Sequence, residues 1–257
     1  MQFALKPYRL FGIGNTVYFG NFQPLLVRQQ NKGRRKAIFQ RGISIMRTVD
    51  FREFEERDVD FVLRCKNDAQ LNSRTVGASK PMNREEAVRW VQGCMGEHAT
   101  YKYWAVCTND GERRIVGWVS LSQIDKVNQS ACFHGIVIGD PKYRDGTAWI
   151  ESYLFIIDYA FEVLGVNRLH GSRMDTQNLT VMMGQAVHFT VEGVRREAVF
   201  RDGSFHDVYC TSILRSEYLR YKAAGEYCFE RVLANLMKVA RAARKGKRVK
   251  PEPPIEA

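Results

Sequence analysis

Apolar and polar residues alternate through 46–54, MRTVDFREF, which predicts a strand. The period then lengthens. In 56–68, Val59, Val62, Leu63 and Lys66 recur at helical spacing behind Asp58. In 83–95, Asn83 precedes Glu85 and Glu86, and Ala87, Trp90, Val91 and Cys94 share one face. Both stretches read as helices, the second with a capping asparagine and an acidic first turn. The stretch between them, LNSRTVGASKP at 71–81, reads as a loop.

Alternation returns in 101–125, two strands around an Asn-Asp-Gly turn. Residues 130–140, SACFHGIVIGD, are nearly all apolar and predict a third, buried strand. A long helix follows at 147–165 with Gly165 as its stop, then a short strand at 166–174. Residues 176–189 form a helix carrying Val181, Met182, Met183 and Val187, and 190–218 form a hairpin around Arg-Asp-Gly. The order β-α-α-β-β-β-α-β-α-β-β is α/β, with an antiparallel front half and one crossover near the centre. After Gly225, residues 226–245 place Phe229, Val232, Leu233, Leu236, Met237, Ala240 and Ala243 on one stripe. Arg231, Lys238, Arg241 and Arg244 lie off it. This amphipathic helix is expected to dock on its own domain or on a second subunit; a membrane surface or RNA is the other use of such a face. The tail from 245 reads as disordered.

Charge changes the picture of partners. The 39 Lys and Arg against 28 Asp and Glu give +11, but the excess sits at the ends. Residues 1–45 hold eight basic residues and no acid, and 216–257 hold ten basic and five acidic ones. The segment between holds 21 basic and 23 acidic residues, so nucleic-acid binding by the core gains nothing from the net charge. An RNA role would belong to the tails, including KGRRK at 32–36. The acid-free start is neither amphipathic nor Ser-rich, unlike a transit peptide. Met46, just before the first patterned strand, is the expected true start, with the basic extension 1–45 read as upstream translation. The resulting division is 1–45, 46–219 and 220–257.

Cys65, Cys94, Cys107, Cys132, Cys210 and Cys228 form no CxxC pair and no metal-ligand spacing. They read as reduced, small buried hydrophobes, in keeping with a cytoplasmic chain and no bound metal. No stretch has the roughly 18 consecutive apolar residues of a membrane span, and no secretory signal is evident.

The chemistry concentrates in IVIGDPKYRDGTAWIESYLFIIDYAF, 136–161, where a strand runs through one glycine turn into a helix. Backbone N–H groups at a helix start hold phosphate, and glycine lets a ligand approach the backbone. A lone glycine also suits a plain strand–helix turn.

The phrases FREFEERDVDFV, IVGWVSL, GIVIGDPKYR, DYAFEVLGVNRL, HFTVEGVRREAVFRDGSFHDV and SILRSEY occur in an order that resembles the GNAT N-acetyltransferases, and within them the RimJ/RimL branch. The resemblance covers about residues 50–219. It implies a mixed, mostly antiparallel twisted sheet with splayed central strands, flanked by helices. It also implies acetyl-CoA as co-substrate, lying between FHGIVIG and RLHGSRM. The family's phosphate motif is Gln/Arg-x-x-Gly-x-Gly/Ala. Read locally, Tyr143, Arg144, Asp145, Gly146, Thr147 and Ala148 fit its last two landmarks, Gly146 and Ala148, with Tyr in the first place. Counted back from DYAF, the final small residue falls on Trp149 instead; the local register is preferred. Asp145 is unhelpful beside phosphates, and Lys142 and Arg144 are placed to offset it. Ile136, Val137 and Ile138 supply backbone to the pantetheine arm, and Asn178 or its neighbour Gln177 a polar contact.

Two further positions depart from the family. Many relatives carry a Tyr that protonates the leaving thiolate; that place is Gly184 here. Where relatives often have Glu on the strand, this chain has Phe133, followed by His134. His134 is the candidate base, because imidazole titrates near neutrality, with His170 second and a water relay as the alternative. A structural, half-buried role fits both histidines equally. The expected activity is direct attack of a primary amine on the thioester. The acceptor is a protein N-terminus or a small amine such as an amino sugar or a polyamine, although no acidic run marks a polyamine. A homodimer through the C-terminal helix is the expected assembly. The alternative is a non-catalytic binding or scaffolding protein with a degenerate loop.

Overall fold

The computed structural model describes residues 48–72, 80–176 and 178–244. The basic extension 1–45, most of the 71–81 loop, Gln177 and the tail from 245 lie outside the described residues. Strand β1 (Val49–Arg52) leads through a 3-10 turn into α1 (Val59–Asn67). A short α2 (Ala69–Asn72) follows, begun by the Asp68 carboxylate, which accepts the N–H groups of Gln70 and Leu71. Its residues Leu71 and Asn72 had read as loop. Helix α3 (Arg84–Cys94) starts as the sequence predicts: Asn83 Oδ1 accepts the Glu86 N–H at 2.9 Å, and Glu86 Oε2 accepts the Asn83 N–H at 2.7 Å.

Three antiparallel strands come next, β2 (Lys102–Thr108), β3 (Ile115–Asp125) and β4 (Ser130–Ile138). Helix α4 (Thr147–Asp158) continues as a π-helical turn (Tyr159–Val163) and stops at Gly165, whose φ is +67°. Then follow β5 (Arg168–Met174), α5 (Asn178–Ala186), and the hairpin β6 (Thr190–Arg201) and β7 (Ser204–Leu214). The hairpin ends earlier than its sequence suggests. Residues Arg215–Ala223 form α6, begun by a bond from the Leu214 N–H to the Glu217 carboxylate. Only Tyr218 of α6 is buried, so periodicity carried little sign of a helix. Helix α7 (Phe229–Arg244) closes the described chain.

The seven strands form one sheet in the order β1-β2-β3-β4-β5-β7-β6. Every pairing is antiparallel except β4 with β5. Helices α1 and α3 cover one face over Phe61, Val62, Val91 and Trp118. Helices α4, α5 and α7 cover the other over Val119, Leu121, Ile156 and Leu236. The stripe on α7 therefore docks on its own domain, chiefly on α5 and α4, burying Val232, Leu236, Val239 and Ala240. Ala243, placed on that stripe by spacing, is exposed, and Val239 takes its role. All six cysteines are free; Cys228 is exposed, against the expectation of uniform burial.

Two buried carboxylates fix the start of the fold. Asp58 meets Arg52 through two 2.8 Å bonds, both side chains nearly inaccessible. Glu151, on α4, accepts the Thr48 and Val49 N–H groups, at 3.0 Å for Val49, and so ties β1 to the central helix.

Candidate active site

The site is a fork in the sheet. Strands β4 and β5 pair at Ser130–Arg168, Ala131–Leu169 and Cys132–His170, and then part. Beyond Cys132, β4 stays paired only with β3, as far as Ile138, while β5 stays paired with β7 as far as Met174. A bulge opens the fork. Leu121 faces Phe133 and Ser120 faces Gly135, so His134 is the extra residue. Gly135 takes φ +154°, a value side-chain-bearing residues rarely adopt. Among the described residues, the edge of β4 that looks into the fork has no strand partner beyond Cys132.

At the end of β4 the chain turns into α4. Asp140 Oδ1 accepts the Lys142 N–H at 3.0 Å and holds a 3-10 turn at Pro141–Tyr143. Gly146 then takes φ +97° as the residue before the helix. The first helical bond runs from the Ile150 N–H to the Gly146 carbonyl, so the amides of Thr147, Ala148 and Trp149 precede the ladder. Asp145 Oδ1 accepts that of Thr147 at 2.9 Å. The left-handed glycine and the remaining amides fit a diphosphate, and the parted strands fit an amide-rich arm.

Arg144 does not face this turn. Its guanidinium folds back onto the Ile138 carbonyl at 3.0 Å and the Gly139 carbonyl at 2.7 Å, pinning the end of β4. Its expected role of offsetting Asp145 is therefore not what its contacts show. Tyr143 packs against the core, Ala148 is buried beneath the turn, and Ile136 and Ile138 face α4 while Val137 faces the α1 side. Trp149 lies half-buried with its ring edge-on to Tyr153, centroids 5.1 Å apart. Tyr153 in turn meets Phe133 edge-on at 4.8 Å. This aromatic line runs from the turn to the mouth of the fork. Asn178 opens α5, with its side-chain amide on the Thr176 carbonyl; Gln177 lies outside the described residues.

The two histidines occupy different clusters. The bulge leaves His134 exposed at its edge, with Nδ1 3.4 Å from Ser122 Oγ. Partial desolvation, and then the Lys66 ammonium, hold its pKa below the ordinary imidazole value. Lys66 itself sits over the rings of Trp90 and Trp118, and burial lowers its pKa. His170 is half-buried; burial and Arg168 lower its pKa, and Glu192 acts in the opposite direction. Glu192 is bonded to Arg168 and Ser212, and the Arg168 bond brings its pKa down to about 2.

Residue-by-residue reading missed Arg173. It is 3 % exposed and lies under the fork between β5 and α5. The signal was its phase: it follows Leu169 and Gly171 on the inward-facing positions of β5. Lys66 and Ser122 were likewise visible only once the fold had placed them beside His134.

Among the described residues no cluster of three His, Cys, Asp or Glu side chains is arranged to hold a metal, and no helix is long and apolar enough to cross a membrane. No curated protein matches the chain. Solved structures do. A spermidine N-acetyltransferase from Vibrio cholerae, in complex with CoA and spermine, superposes with a TM-score of 0.60 at 22% identity, covering 67% of this chain and 98% of that one. The Vibrio cholerae spermidine/spermine N-acetyltransferase SpeG with manganese ions gives 0.55 at 21% identity, covering 67% and 96%. These likenesses support the fold. The family rests on the sequence of residues 49–182, which matches the acetyltransferase (GNAT) domain. The chain belongs to the GNAT family and is an acetyl-CoA-dependent N-acetyltransferase.

Proposed function

We propose that the acetyl donor binds in the fork, with its diphosphate on the amides around Gly146, Thr147 and Ala148 and its pantetheine arm along Ile136, Val137 and Ile138. Tyr143, Arg144 and Asp145 shape that turn, and Asn178 contacts the arm from the other wall. The observation that carries this reading is the parting of β4 and β5 after three paired positions, followed past the end of β4 by a left-handed glycine that opens α4. The unpaired edge of β4 supplies donors and acceptors in line, and the helix start supplies positive potential.

The acceptor amine comes to the face that carries His134. Its neutral form is favoured by the surroundings, so it can take the amine's proton as nitrogen attacks the carbonyl. Donors along β4 polarise that carbonyl. The charged groups acting on the two histidines are Lys66, Arg168 and Glu192, and Glu192 is already bonded to Arg168. A polyamine would find no spare carboxylate among these groups. The acceptor is therefore a peptide N-terminus, as the RimJ/RimL resemblance suggests, or a small amine without further positive charge. The enzyme works as a cytoplasmic, metal-free protein. Its domain spans 46–219, between the basic extension 1–45 and the segment 220–257. A homodimer through α7 would use the half-buried rim of Phe229, Leu233 and Met237, since the centre of the stripe is covered within the chain.

Calorimetric titration with CoA tests the reading. Wild-type protein is expected to bind with a dissociation constant in the micromolar range or below, and Gly146→Glu to bind at least about tenfold more weakly, through steric and charge conflict. No binding by the wild type favours the scaffolding alternative; an unchanged constant in the variant moves the cradle elsewhere.

A further inference from the structure

Arg173 is a cation sealed beneath the fork. The residue is 3 % exposed, and among the described residues it forms no ion pair. One Nη donates to Thr211 Oγ1, and that hydroxyl donates to the Gly171 carbonyl at 3.2 Å. The guanidinium carbon lies 5.1 Å over the Phe189 ring. Nε has no hydrogen-bond partner among the described residues. Burying a charge without a counter-charge is costly, and leaving one of its donors unbonded adds to that cost. Such a group fits a place where negative charge arrives during function.

That place is marked by four residues. Gly171 is the first residue of β5 beyond the last pair with β4, and an added Cβ there would lie 3.5 Å from the Phe133 carbonyl across the fork and 4.0 Å from the Arg173 guanidinium. Burial pushes the hydroxyl of Tyr153 up, the Arg173 guanidinium beside it acts in the opposite direction, and the Tyr153 ring meets Phe133 edge-on. Burial likewise pushes up the thiol of Cys132, the last paired residue of β4, with Ser122 and then Arg173 acting in the opposite direction. Finally, an added Cβ at Gly184 would lie 3.1 Å from the guanidinium carbon. A side chain on α5 at that position, where relatives carry a Tyr, would occupy the volume Arg173 fills.

We propose that Arg173 is the catalytic residue that stabilises the departing CoA thiolate. This rests on the donor lying in the fork as proposed above. The amine nitrogen forms the new C–N bond to the carbonyl carbon. The C–S bond breaks, and sulfur leaves with the bonding pair as a thiolate facing the guanidinium. The amine's proton goes to His134 or to water. No electron is gained or lost overall. A cation in a dry site acts on such a developing charge without having to transfer a proton, so no Tyr is required on α5.

Ultraviolet titration of the thiolate of CoA bound to wild-type protein is the first test. The bound thiol is expected to titrate at least about one pH unit below free CoA, the direction a guanidinium imposes on a neighbouring thiol. An unshifted thiol overturns the assignment with no variant needed. Arg173→Met should return the thiol to its free value and lower kcat by roughly a hundredfold, with affinity for desulfo-CoA changed less than about threefold. Arg173→Lys should retain most of the thiol shift. If Arg173→Met titrates and turns over like wild type, the assignment falls while the fork reading stands. If wild type binds neither CoA nor desulfo-CoA, the fork reading fails and takes Arg173's role with it.

Discussion

The Arg173 guanidinium stands in the space a side chain at Gly184 would enter, with its Cζ 3.1 Å from the position of an added Cβ. Position 184 is empty because position 173 is full. Gly184→Tyr must evict a buried cation, and is expected to destabilise the fold by about 3 kcal/mol, the upper range for overpacking. Adding Arg173→Ala should recover part of that loss, with a coupling of about 1–3 kcal/mol in a double-mutant cycle read by chemical denaturation. Strict additivity would show that the two sites do not share volume.

The Arg52–Asp58 pair joins β1 to the turn before α1 through two 2.8 Å bonds, at side-chain exposures of 7% and 1%. Removing one partner strands the other. Arg52→Met is expected to cost about 3–5 kcal/mol in urea unfolding, and the double replacement Arg52→Met with Asp58→Leu clearly less. Equal losses would mean that the ion pair does not couple the two side chains.

His134 and His170 are both held below the ordinary imidazole value, His134 by partial desolvation and then Lys66, His170 by burial and then Arg168. The sign follows from proton uptake. In the unfolded chain each histidine gains its proton near pH 6.5, and in the folded chain only at lower pH. Their contribution to stability is therefore complete above about pH 7 and is lost as pH falls through the folded values. The acidic limb of kcat should likewise lie below pH 6.5. Lys66→Met should move that limb upward, because the neighbouring ammonium is the second cause of the depressed His134 value. A limb that stays in place on this substitution would take the base role away from His134.

Asp145 holds the Thr147 amide at 2.9 Å and brings a negative charge to the start of α4. Asp145→Asn keeps a capping oxygen and removes the charge. CoA should then bind roughly fivefold more tightly, on the order of 1 kcal/mol for one like charge near a surface diphosphate, and the gain should shrink in high salt. Weaker binding in the variant would show that Asp145 assists the ligand.

Much of this fold was legible because its signals are local. The Asn83 cap, the Asn-Asp-Gly and Arg-Asp-Gly turns, the stop at Gly165 and the period changes around 101 and 147 each act within a few residues. The phrase order added the splay of β4 and β5, which periodicity cannot give. What escaped depends on long-range contact. Helix α6 buries only Tyr218, so its sequence shows little amphipathic stripe. Arg144 reads as a phosphate ligand until the end of β4 offers it two carbonyls. His134 owes its orientation to a bulge set by pairing with β3, and Arg173 owes its burial to α5 and Phe189. A one-residue bulge or a missing Cβ leaves no mark in a hydrophobic pattern, though either can reposition a catalytic group.

A crystal structure of the protein with CoA is the decisive measurement. The diphosphate is expected on the amides that open α4 at Gly146, the pantetheine between β4 and β5, and the sulfur beside Arg173. Density for CoA elsewhere, or a Trp149 ring lodged in a fork that stays empty at saturating ligand, would contradict that placement.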